Sequence, residues 1–234
     1  MNLDSSNLER AAVGPGGLFY GVYPALVLDI MDPETQGRVK VGLPWAPDGK
    51  GSRYEAWARL ATLMAGNNRG TWFVPEVNDE VLVAFEGGNP RRPYIIGSLW
   101  NGADVPPERM DSAGDNNIKT ILSRQGVRIT LDDTVGAVKL RLETPNGQSI
   151  ILNDTDNSLL AEDSNGNSIR LDAGGITVIA TSEISLSAST AKIEAGLVTV
   201  SAGMSQFSGV VQCDTLITNA VVSSSYTPGA GNIW

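Results

Sequence analysis

From Ile118 to Val222 the chain alternates apolar and polar residues in one short run after another, with no stretch of helical period. The clearest unit recurs three times. Arg124-Gln-Gly-Val-Arg-Ile-Thr-Leu-Asp132 is echoed by Pro145-Asn-Gly-Gln-Ser-Ile-Ile-Leu-Asn153 and by Ser164-Asn-Gly-Asn-Ser-Ile-Arg-Leu-Asp172. Each unit holds a turn glycine, a polar pair, an alternating strand, and an acid or amide that opens the next turn. The glycines at 126, 147 and 166 set a repeat of about 20 residues, the period of a solenoid or stacked array. Farther on, Ile184, Leu186 and Ala188 alternate with serines, and Val198, Val200 and Ala202 alternate with Thr199 and Ser201. A period of two places the apolar residues on one face of a strand. From Ile118 to Val222 the only aromatic residue is Phe207, so any core behind that face is thin.

A single ribbon of this kind has one apolar face and unpaired edges, which invite further pairing. Two solutions fit: a monomeric right-handed β-helix, or identical ribbons wound together. Single-chain coils run to roughly 20 residues or more. The strand–turn unit here is nearer ten, which favours an intertwined oligomer.

The first half divides differently. Gly21–Asp29, Arg38–Leu43, Asp79–Glu86 and Tyr94–Leu99 read as strands separated by Gly/Pro/Asp turns. Tyr54–Met64 fits a helix with Trp57, Leu60 and Met64 on one side, or a strand with Ala56, Ala58 and Leu60 facing inward. About five strands in about 80 residues predict a small closed barrel of OB or SH3-like type. Four of the five tryptophans lie in this half and are expected in its core. The organisation predicted is an arm at 1–20, a barrel at 21–102, a Pro/Gly/Asp linker at 103–117, a β-helical needle at 118–222 and a terminal segment at 223–234.

Composition removes several function classes. Net charge is −9, with ten basic against fifteen acidic residues in 1–117 and seven against eleven in the rest. An acidic balance in both halves argues against a phosphate-tracking surface and against nucleic acid as a partner. The absence of histidine excludes His-based acid–base chemistry and His-containing metal sites. A lone cysteine, Cys213, forms no internal disulfide and reads as a small buried apolar residue. No signal peptide or membrane-spanning run is evident. Asp132-Asp133, Glu162-Asp163 and Asp154-Thr-Asp156-Asn157 carry carboxylates that suit hard cations, but no complete calcium loop, and they read as turn residues. Arg91-Arg92 reads as a solvated hairpin tip. No catalytic residue, metal site or cofactor is expected.

The run Gly37–Trp45 (GRVKVGLPW), Trp57–Ala61 (WARLA) and Gly70–Gly102 (GTWFVPEVNDEVLVAFEGGNPRRPYIIGSLWNG) resembles the OB-fold domain of spikes of contractile tails and injection systems, among them phage baseplate assembly protein V and VgrG of type VI secretion. The resemblance covers roughly residues 22–102. It implies an all-β chain in which an OB-fold-like barrel is followed by an intertwined homotrimeric β-helix needle. It also implies a non-enzymatic spike that caps the tail tube, is assembled in the producing cell's cytoplasm and meets a target membrane only during puncture. About 20 residues precede the barrel, so a hub or baseplate protein is expected as a separate partner. The linker is too short for an inserted lysozyme, and a His-x-His iron tip is impossible. The ending Ser223–Trp234 suits capping by a PAAR-like tip protein, with Tyr226, Pro228 and Trp234 as its contact residues. If each chain supplies about 11 strands over three faces, the needle is roughly 50 Å long. Readings from other classes are an OB-type nucleic-acid module, testable by a salt-dependent gel shift, and a carbohydrate-active β-helix, testable by a glycan-hydrolysis screen.

Overall fold

A computed structural model describes residues 17–47 and 52–225. The described residues are almost wholly β, and the one helical turn is a 3-10 segment at Glu86–Gly88. The first part is a closed barrel. Its strands are β1 (Val22–Asp29), β2 (Val39–Pro47), β3 (Arg53–Leu60), β6 (Glu80–Phe85) and β7 (Pro93–Ser98), joined in the order β1-β2-β3-β7-β6. All neighbours are antiparallel except β3 and β7, which close the barrel in parallel. The ambiguous Tyr54–Met64 run therefore resolves as a strand, with Ala58 fully buried. Between β3 and β6 a small hairpin protrudes, β4 (Ala65–Gly66) and β5 (Arg69–Gly70).

Alternation puts Ala25, Val27, Val39, Val41, Val81 and Val83 inside, with Leu43 and Ile95. Phe19 belongs to this core although the sequence reading placed it in the arm. Its ring lies 5.1 Å from Phe85 and 5.4 Å from Trp45, and its amide donates to the Gly88 carbonyl. The tryptophans correct the sequence reading. Trp72 and Trp100 are about three-quarters and two-thirds exposed, and Trp45 and Trp57 are only partly buried. The inward positions of so narrow a barrel fit branched aliphatics, and the indoles lie outside them, Trp57 on β3 beneath the Arg38 guanidinium. Trp45 stacks on Tyr23 at 4.6 Å and donates its Nε1–H to the Pro24 carbonyl at 2.8 Å.

The β1–β2 connection is held by Asp32. Its carboxylate accepts from the amides of Glu34, Gln36 and Arg38 and from the Arg38 guanidinium, with Nη2 at 2.7 Å. The Arg38 bond and these amides hold the carboxyl well below its ordinary 3.8. A depressed folded value stabilises the fold above pH 3.8, and that contribution fades as pH falls toward the folded value. Asp32→Asn is thus expected to lower the melting temperature most at pH 7. Calorimetry should show the gap from wild type closing below about pH 3.8.

The stretch read as one repeating ribbon divides in two. From Ile118 to Ile179 it forms a seven-stranded antiparallel meander in strict chain order. The strands are β8 (Ile118–Leu122), β9 (Arg128–Asp132), β10 (Lys139–Glu143), β11 (Ser149–Asn153), β12 (Ser158–Glu162), β13 (Ser168–Asp172) and β14 (Gly175–Ile179). The repeat glycines share one conformation, φ +89° at Gly126 and +87° at Gly147 and Gly166. A Cβ at these positions would meet Pro145, Ser164 and Thr181, each in a neighbouring turn. The backbone conformation favours glycine at all three, and at Gly126 and Gly166 the close approach of the neighbouring residue does so as well. Beyond Ile179, through Ser225, no strand pairing occurs among the described residues. The chain separates into two compact units at this point, residues 1–183 and 184–234.

Candidate oligomerisation surface

The antiparallel register makes the two faces of the meander chemically opposite. One row of directly paired residues runs Ile121, Ile129, Leu142, Ile150, Ala161, Ile169 and Val178. A second row, two residues along each strand and so on the same face, runs from Lys119 through Leu131, Leu140, Leu152, Leu159 and Leu171 to Ile176. Among the described residues, nothing in the single chain covers this face. Ile121, Leu131, Ile150, Leu152 and Ile169 are each between 42% and 50% exposed, and Ile176 is 71% exposed. Lys119, the one charge in the rows, sits on the edge strand, where its Nζ meets Asp133 at 2.6 Å.

The opposite face carries the ion pairs, although Ile151 and Leu160 also lie on it. Arg141 pairs with Glu143 at 2.7 Å, and Arg170 with Asp172 at 2.6 Å. Arg128 pairs with Glu108, whose carboxylate also accepts from Thr120, so the segment before the sheet is tied to its polar side. Arg124 reaches Glu76 of the barrel at 2.9 Å. Ion pairs in water contribute little to stability, so these mark the solvent side rather than hold the sheet together. A contiguous face with thirteen aliphatic positions is much larger than the scattered exposed hydrophobics of a monomer, and it demands a covering partner.

Of the acidic residues singled out in the sequence, Asp132 and Asp163 hold turns, whereas Glu162 lies within β12 and Asp133 pairs with Lys119. Asp132 accepts from the Thr134 amide and hydroxyl. Asp163 accepts from the amides and side chains of Asn165 and Asn167, which lower its carboxyl from 3.8 to about 2. Glu162 accepts from Ser149, and Asp156 from Asn153. Among the described residues no group of three or more His, Cys, Asp or Glu side chains is placed to hold a metal ion. Arg92 meets Glu86 at 3.3 Å within its own loop. Tyr226, Pro228 and Trp234 lie outside the described residues. Cys213, read as buried, is exposed in the single chain. The sequence reading missed the full extent of the apolar face. The signal was present in the repeats themselves, where Ile129/Leu131, Ile150/Leu152 and Ile169/Leu171 occupy equivalent positions.

Comparison with known proteins bears on both halves. The type VI secretion system/phage-baseplate injector OB domain matches residues 23–100, which is the barrel. The phage baseplate V C-terminal trimerisation domain matches residues 139–203, which takes in β10 to β14 and the start of the unpaired segment. Together the two matches span more than half of the chain. The chain belongs to the phage-baseplate and type VI secretion spike family. Relatives in this family include the type VI secretion system spike protein VgrG1b of Pseudomonas aeruginosa, 32% identical over 124 residues, half of this chain and 17% of that protein. VgrG1a of the same species is 31% identical over 129 residues, 52% of this chain and 20% of the relative. VgrG3 of Vibrio cholerae is 30% identical over 113 residues, 45% of this chain and 11% of the relative. The matched region is thus a small part of each of these longer relatives. Among the described residues no helix is long and apolar enough to cross a membrane.

Proposed function

We propose that the chain is a non-enzymatic structural spike of a contractile tail or type VI-like injection system and that it acts as a homotrimer. The uncovered aliphatic face of the meander carries this reading. Three copies related by a threefold axis can turn that face inward and leave the ionic face in water, and the trimerisation match overlaps the same strands. The spike would cap the tail tube, join a separate hub or baseplate protein, and be driven through a target envelope when the sheath contracts. Its work is mechanical, so its chemistry is that of cohesion. It would be assembled in the cytoplasm of the producing cell and then carried in the particle.

Native mass spectrometry should give three times 24.7 kDa, and a stable monomer in native buffer would sink the reading. The terminal segment is proposed to seat a PAAR-like tip through Tyr226, Pro228 and Trp234. Deleting residues 226–234 is expected to leave the trimer intact and to abolish pull-down of the tip. Equal recovery of the tip by both forms would show that the tip is held elsewhere.

A further inference from the structure

A cleft of about 560 Å³ lies between the β1–β2 connection and the β4–β5 hairpin of the barrel. Trp72, Met64 and Leu60 give it apolar surface, and Arg59 and Arg69 give it charge. Among the described residues no Asp or Glu lines it. Two close approaches to glycine set its walls. A Cβ on Gly37, at φ +72°, would stand 3.1 Å from the Trp72 ring, so the exposed indole rests on bare backbone. A Cβ on Gly66 would stand 2.7 Å from Arg69 Nε, so the Arg69 side chain lies back across its own hairpin. Thr62 ties the base of that hairpin by donating to the Thr71 carbonyl at 2.8 Å. Trp72 and Arg69 are thus each seated by a glycine opposite, where any larger residue would push them away.

Most described Lys and Arg side chains pair with a carboxylate, as Arg38 does with Asp32, Lys40 with Glu55 and Arg92 with Glu86. Arg59 and Arg69 meet no acid among the described residues. The Arg59 guanidinium lies 5.6 Å from the Tyr94 ring centroid, a contact that uses none of its N–H donors. In a chain of net charge −9, two guanidiniums without a carboxylate in one cleft make a local reversal of sign. What complements them is an anion with paired acceptor oxygens.

We propose that this cleft binds a short acidic peptide segment of a partner protein. A guanidinium fork matches a carboxylate with two parallel hydrogen bonds, and the open indole face takes an apolar side chain beside it. The site belongs to the barrel and adds recognition to a chain whose other proposed work is mechanical. A nucleic-acid strand fits less well. Glu34 stands beside the cleft, where its carboxylate accepts from the Gln36 side chain at 3.0 Å. A continuous run of phosphates would have to pass that carboxylate, and two cations neutralise little of a phosphate chain. A peptide carries its acids only where the guanidiniums are.

Fluorescence anisotropy on the full-length protein tests this, with a short fluorescein-labelled peptide rich in Glu and Leu as the probe. Saturable binding is expected at low salt, weakening as salt screens the charges. Arg59→Gln combined with Arg69→Gln should weaken it at least about tenfold, and Trp72→Ala should weaken it as well. Arg91→Gln removes another exposed guanidinium, from the β6–β7 loop, and should leave binding unchanged. The same peptide with Gln in place of every Glu should not bind. Binding that the double variant leaves unchanged, or that the Gln peptide matches, would overturn the proposal. Tighter binding of an oligothymidylate than of the acidic peptide would overturn it in favour of nucleic acid. Failure of the wild-type protein to bind the peptide would overturn it and leave the spike reading standing.

Discussion

Replacing Ile129 with aspartate is expected to abolish the trimer, whereas Thr130→Asp, one residue away, should leave it intact. Ile129 lies in the aliphatic row between Ile121 and Leu142, and the one cation on that face, Lys119 on the edge strand, is already paired with Asp133. Thr130 lies on the ionic face between Thr120 and Arg141. In a threefold assembly the first change buries three carboxylates at one height. Burying even an uncharged polar group without a partner costs roughly 2–7 kcal/mol, and each copy incurs that cost together with mutual repulsion. In the second change the carboxylate gains a guanidinium neighbour in water. Sedimentation velocity decides it: monomer for Ile129→Asp and trimer for Thr130→Asp. Two trimers would mean that the buried face has been assigned to the wrong side.

Val83→Asp is expected to unfold the barrel. Val83 is fully buried on β6 and is paired across to Tyr23 on β1 and to Ile95 on β7, so it sits where two seams of the closed sheet meet. The buried cluster around it holds only Phe, Ala, Val, Leu and Ile, and no basic group is placed to neutralise a carboxylate. The penalty approaches the whole stability of a small domain, about 5–15 kcal/mol. Val83→Ala, which leaves a small cavity, should cost roughly 1–3 kcal/mol and keep the barrel folded. Trp45 reports both outcomes, because its stacking on Tyr23 depends on the closed barrel. Loss of the cooperative fluorescence transition is expected for the aspartate variant, and a lowered midpoint for the alanine variant. An unchanged melt of Val83→Asp would show that the barrel core is not the one described.

Alternation and turn residues carried most of the fold because strand geometry is a local property. Asn-Gly at 146–147 and 165–166 marked two hairpin turns, and the two-residue period marked which side of each strand is apolar. Where periods compete, the local signal failed. Tyr54–Met64 suits either a helix or a strand, and only pairing of β3 with both β2 and β7 decides it. Tryptophan count misled for a related reason. Residue type states how much apolar surface is available but not whether a narrow interior can hold it, and Trp72 rests instead against Gly37 at the surface. The division at Ile179 was hidden because both ribbons alternate in the same way. They differ in turn spacing, about ten residues before Gly175 and seven or fewer after Ser182. That difference separates strands that fold back on their own neighbours from a segment with no strand pairing among the described residues.

In the meander every strand pairs only with the strand before or after it in the chain. Its contacts are local in sequence, and sheets of that kind close hairpin by hairpin without long loops to bring together. Covering the aliphatic face, in the trimer proposed here, is by contrast an intermolecular step. Time and concentration then act on the two steps differently. Barrel closure and meander pairing are events within one chain and do not depend on dilution. Association of the apolar faces waits on encounters and speeds up with the amount of protein present.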